Sequence, residues 1–193
     1  MIFDTKNNKK RCLIIMHHTN NPIAIVMMVI MLTLGATVPR PVQAKPSADE
    51  AAVKVGYIYN FMKFVEWPNV AGQQDYIVCV LGSNPFGQVI NSLGNKTIRN
   101  RGIRVVTDVP LEQTKYCHVV FVSRSESGRL MPALLRMRRL PLLTISDIEG
   151  FSDKGGVIEL ISGSNNDISF RVSQKTALDI GLHVSSKLLS MSR

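Results

Sequence analysis

Asp108, His118 and Ser123 lie near one another in the sequence and raise the prospect of a Ser-His-Asp hydrolase. A serine nucleophile of that kind needs a sharp strand-to-helix turn that exposes its hydroxyl to the histidine. The segment Val122-Ser-Arg-Ser-Glu126 lacks the Gly-x-Ser-x-Gly pattern that builds such a turn. Hydrolysis through His118 and Ser123 is therefore the weakest reading, and a histidine satisfied beside a strand end is the default. Gly82-Ser-Asn-Pro-Phe-Gly87 has the glycine spacing of a phosphate loop, but Gln88-Val89 follow where lysine and a hydroxyl residue are required. Its amides could still hold a small anion, as any strand-to-helix turn could. Arg136, Arg138 and Arg139 read as a solvated helix end that complements the dipole, with an anionic partner as the minority reading. No catalytic residue and no cofactor is predicted.

The cysteines and histidines depend on where the chain works. Lys6, Lys9, Lys10 and Arg11 precede the apolar run Ile23 to Leu34, and Val42-Gln43-Ala44 offers small residues for cleavage. A run of 12 residues is well short of the roughly 20 that span a membrane, so residues 1–44 are read as a cleaved secretory leader and 45–193 as one domain. Met16 is a second candidate start and gives the same product. Cys12 precedes the apolar run, so it is not placed for lipoprotein acylation. Without the leader the charge falls from +9 to +5, from 18 basic and 13 acidic residues, and nucleic acid is not an expected partner. Two cysteines remain, Cys79 and Cys117, in a compartment that oxidises thiols. A bridge between them is expected, with two buried free thiols as the alternative. A free thiolate is needed to bind zinc, and His118 and His183 stand 65 positions apart, so no metal site is predicted.

The elements that would position these residues follow from periodicity. Ala51, Val55, Ile58, Met62 and Val65 recur at helical spacing beside Tyr57, Phe61 and Phe64, which predicts a helix from about Ala48 to Glu66. Asp49 would cap it and Pro68 would end it. This aromatic stripe reads chiefly as core, with a partner or dimer surface as the lesser reading. Tyr76 to Leu81 reads as a strand buried on both faces, and Phe86, Val89, Ile90 and Leu93 as a short helix. Ile103 to Val106, Cys117 to Val122 and Leu142 to Ile145 read as further strands, with a helix near Gly128 to Arg139 between the last two. Val157 to Ile161 and Ile168 to Val172 form an edge hairpin, and Ser173 and Ser185 each open a short helix. The fold class expected is α/β: a three-layer sandwich with a mixed, mostly parallel sheet of about six strands flanked by helices.

Several motifs, in order, resemble the YfiR family of periplasmic regulators of membrane-bound diguanylate cyclases, which includes HmsC-type proteins. They are Lys54-x-x-Tyr57-Ile-Tyr-Asn-Phe61-x-Lys-Phe64-Val-Glu-Trp-Pro68, Cys79-Val-Leu-Gly-x-x-Pro85-Phe-Gly87 and Cys117-His-Val-Val-Phe-Val-Ser123. Leu143-Thr-Ile-Ser-Asp147, Gly150-Phe151, Gly155-Gly156 and Gly181-Leu-x-Val-Ser-Ser-Lys-Leu-Leu189 continue the series. The resemblance implies a non-enzymatic periplasmic repressor that binds the sensory domain of an inner-membrane diguanylate cyclase and so lowers cyclic di-GMP and biofilm formation. It also implies an outer-membrane lipoprotein that sequesters the repressor, a tendency to homodimerise, and Cys79 and Cys117 as the bridging pair. A second cysteine pair found in some members is missing here, so redox switching through it does not carry over. Trp67 and Phe151 are the candidate partner contacts if they stand at the surface, and core packing is the equal alternative for each. The competing reading is a periplasmic small-molecule sensor whose ligand enters near Gly82 to Gly87.

Overall fold

The computed structural model describes residues 48–68, 75–163 and 167–193. The secretory leader expected over residues 1–44 and its cleavage site lie outside the described residues. Helix α1 (Ala48–Phe64) opens with Asp49 and Glu50, which favour its positive end. It stops two residues earlier than its apolar period predicts. Val65–Glu66 (β1) leaves the helix to pair antiparallel with His183–Val184 (β9), and the Ser185 N–H donates to the Phe64 carbonyl. Partners more than a hundred residues away, and not Pro68 alone, end the helix.

The main sheet holds seven strands: β2 (Tyr76–Leu81), β3 (Thr97–Ile98), β4 (Arg101–Val109), β5 (Val119–Val122), β6 (Leu143–Ser146), β7 (Ile158–Ser162) and β8 (Ile168–Val172). Their order is β3-β4-β2-β5-β6-β7-β8. The five inner strands are parallel and each edge pair is antiparallel. Five parallel neighbours need covered faces, which is why β5 and β6 are buried at every residue. The strand that the expected six omitted is β3. It joins β4 through Arg99 and Asn100, both at positive φ (50° and 62°), the geometry of a tight hairpin turn that usually announces itself with glycine. The crossover from β2 is a 3₁₀ segment (Gly87–Asn95) and not an α-helix, started by Asn84 Oδ1 accepting from the Phe86 N–H at 2.9 Å.

Two cores follow from the period-two alternation of the strands. Val78, Val80, Val119, Phe121, Leu143 and Ile145 face α1, the 3₁₀ crossover and the carboxyl-terminal helix α4 (Ser186–Ser190). Cys79, Leu81, Val120 and Val122 face helix α2 (Leu130–Met137) on the other side. Helix α3 (Gln174–Asp179) is capped by Ser173, whose side chain accepts from the Thr176 N–H, and α4 is capped likewise by Ser185.

Candidate functional site

Helix α1 contributes Tyr57, Phe61 and Phe64 to a groove of about 510 Å³, closed by β8 and α4. The spacing of four and three places these rings on one helix stripe. Phe61 and Phe170 meet edge to face at 5.0 Å, and Tyr57 packs against both, at 5.6 and 5.9 Å. The Tyr57 hydroxyl donates to the Ile168 carbonyl at 2.7 Å, which locks the ring against the sheet edge. The side chains of the rim are mostly cationic: Lys63, Lys187 and Arg193 stand against one acidic side chain, Asp167. Lys187 Nζ lies 5.6 Å from the centre of the Phe64 ring, so its charge rests on aromatic surface. An aromatic floor with a basic rim can hold an apolar segment that carries negative charge.

The residues singled out for chemistry do not converge. His118 precedes β5 and Ser123 follows it, so the full strand separates them, about 16 Å at strand rise. Ser123 Oγ instead accepts from the Ser125 N–H. His118 Nδ1 accepts from the Ile77 N–H at 3.0 Å, which fixes the neutral tautomer. Burial, and then the Arg101 charge, hold its pKa below the ordinary 6.5. Asp108 sits exposed at a bulge of β4, at φ 56°. At Gly82, φ is +83° and a Cβ would collide with Ser125 and Glu126. The Ser83 amide is already spent on Ser125 Oγ at 2.9 Å, which weakens the anion-loop reading. A cleft of about 530 Å³ does open beside Gly82, with Leu81, Val109 and Ala133 inside and Asp108 and Glu112 at its rim.

Cys79 and Cys117 are joined, with their Cα atoms 6.0 Å apart. The bridge ties the inner strand β2 to the end of the 3₁₀ turn Leu111–Tyr116 that leads into the central strand β5.

Of the two readings of Trp67 and Phe151, the structure corrects the surface one and bears out core packing. Trp67 is 9% exposed, donates from Nε1 to the His118 carbonyl at 3.1 Å and packs on Tyr76 at 5.2 Å. Phe151 is 0% exposed and fills the core beneath α2. Its ring occupies the space where a Cβ of Gly156 would go, which accounts for half of the Gly155-Gly156 pair; Gly155, at φ +102°, accounts for the other half.

Sequence reasoning missed the buried charges. Lys54, 1% exposed, lies 2.7 Å from both Glu50 Oε1 and Asp147 Oδ2. Arg124 reaches Asp147 at 3.3 Å, and Ser162 Oγ donates to Glu50 at 3.1 Å. The hydrogen bond from Lys54 draws the Glu50 pKa down against the opposing effect of burial. Glu159 is similar. Burial pushes its carboxyl up, but bonds from the Ser152 hydroxyl and the Ser152 and Gly150 amides, with the Arg171 charge, leave it lowered. One signal was available, since Lys54 lies on the same stripe as Ala51 and Ile58 and four residues after Glu50.

No curated protein matches this chain. Among solved structures, a conserved domain protein from Vibrio cholerae O1 biovar eltor is similar, with a TM-score of 0.50 and 8% identity. The likeness covers 74% of this chain and 58% of that one, and at that identity it concerns the fold alone. A family model described as YfiR/HmsC-like matches residues 51–193, from within α1 to the last residue of the chain, and on that match the chain belongs to the YfiR/HmsC-like family.

Proposed function

We propose that this protein is a periplasmic, non-enzymatic regulator that binds the sensory domain of an inner-membrane diguanylate cyclase and represses it. The observation that carries the reading is the family match over residues 51–193. On this reading residues 1–44 are removed on export, and 45–193 work as one domain. The partner surface is the groove between α1, β8 and α4, because it sets the half-buried rings of Tyr57 and Phe64 among three cationic side chains and one acidic one. Trp67 and Phe151 act from beneath the surface, as packing for the elements that carry the contacts. Repression requires tighter binding to the inactive conformation of the cyclase than to the active one, since equal affinity for both shifts no equilibrium. An outer-membrane lipoprotein that competes for the same groove would release the cyclase.

Deletion of the gene, in cells that express a membrane-bound diguanylate cyclase with a periplasmic domain, should raise cyclic di-GMP and biofilm formation. The same deletion in cells lacking that cyclase should change neither. Unchanged cyclic di-GMP in the first strain would overturn the reading.

A further inference from the structure

A second cavity, which shares no lining residue with the aromatic groove, lies between α2 and α3. It measures about 300 Å³ and is walled by Leu134, Met137, Leu142, Val157 and Ile180. That volume is at the small end of those that hold organic ligands and is too small for a strand or a helix of a protein partner. Met137 gives one wall an adaptable, unbranched side chain.

Apart from Asp179, the polar side chains of the lining, Arg138, Lys175, Thr144 and Thr176, can all donate hydrogen bonds. Arg138 follows the last turn of α2 at the rim and makes no ion pair with any described residue. The only carboxylate in the lining, Asp179, is taken by Lys175 at 2.6 Å. Thr144, 5% exposed, accepts from the Val157 N–H at 3.0 Å, and its own hydroxyl proton is donated to no described residue. An apolar slot with a spare hydroxyl donor inside and an unneutralised guanidinium outside complements one class of molecule. We propose that it binds a small organic carboxylate with an apolar body, the carboxylate meeting Arg138 and the body lying against Ile180 and the exposed edges of Leu134 and Met137. Arg138 is suited to this by its planar fork of donors, which matches a carboxylate.

Octanoate and octan-1-ol serve as the test pair, added to the exported protein and read by thermal shift and by isothermal titration calorimetry. Octanoate should raise Tm in a saturable way, and octan-1-ol should bind about tenfold more weakly or worse, as expected for loss of one charge-assisted contact. Arg138→Glu, an exposed substitution, should weaken octanoate about tenfold or more while Arg139→Glu leaves it unchanged. Lys187→Glu, in the aromatic groove, should also leave it unchanged. The inference is overturned if octanoate does not bind, if octan-1-ol binds equally well, or if Lys187→Glu abolishes binding that Arg138→Glu retains. None of these outcomes depends on the cyclase, so the ligand and the regulatory partner stand or fall separately.

Discussion

Burying Lys54 takes an ammonium group out of water, and it is sustained there by Glu50 and Asp147, each 2.7 Å from Nζ. Lys54→Met leaves two carboxylates in a site built for a cation. It should destabilise the protein by about 3–5 kcal/mol in urea denaturation, and combining it with Asp147→Asn should recover part of that loss. The two lowered carboxylates set the acid response. A folded-state pKa below the ordinary 4.5 contributes stability that is complete above that value and is lost as pH falls through the folded pKa. Stability followed by denaturation should therefore decline below about pH 4.5, and Glu159→Gln should make that decline shallower. At this scale the sequence revealed types more readily than partners. Glu50 and Lys54 are a visible helical pair, but Asp147 lies 93 residues further on, and nothing local connects it to α1.

The strands were largely legible as elements, because continuous β-branched runs bounded by glycine have few other ways to fold. Two elements were not. The β3–β4 hairpin hides behind Arg99-Asn100, where positive φ is imposed by the pairing of the flanking strands and not by a glycine. The end of α1 is set by β9, a tertiary effect that overrides the apolar period. The loop between β6 and β7 shows how a motif acquires its reason only in three dimensions. Gly156→Ala would drive a Cβ into the buried Phe151 ring and should cost about 1–3 kcal/mol in thermal denaturation, more than an alanine at an open glycine such as Gly56. The bridge between Cys79 and Cys117 closes a separation of 38 residues across the sheet centre. Replacing both cysteines with alanine should lower stability by about 3–4 kcal/mol, a loss that added reductant should reproduce in the unaltered protein but not exceed in the variant.

For the whole molecule, the sheet divides the labour between its faces. The α1 face carries the aromatic groove and the α2 face carries the bridge, while the smaller cavity between α2 and α3 is walled by residues of both cores. Layering and the parallel sheet could be anticipated from alternating strands and helices. The groove could not, since Phe170 and Lys187 join Phe61 only through long-range packing. Reversing its rim with Lys63→Glu and Lys187→Glu should weaken binding to the periplasmic domain of the cyclase by tenfold or more, roughly 1.4 kcal/mol, in a titration at low salt. The unaltered pair should itself weaken as ionic strength rises.

The pairing of Val65–Glu66 with His183–Val184 also orders events in time. Helix α1 packs on strands that come later in the chain and is tied at its end by one of the last segments to be made. A chain that crosses a membrane amino end first would deliver α1 long before the residues that cover it. Until then Tyr57 and Phe61 can pack on each other but not on Phe170, and the closure of so distant a contact makes for slow folding. On that order of delivery the apolar face of α1 stays uncovered until the strands that pack on it arrive.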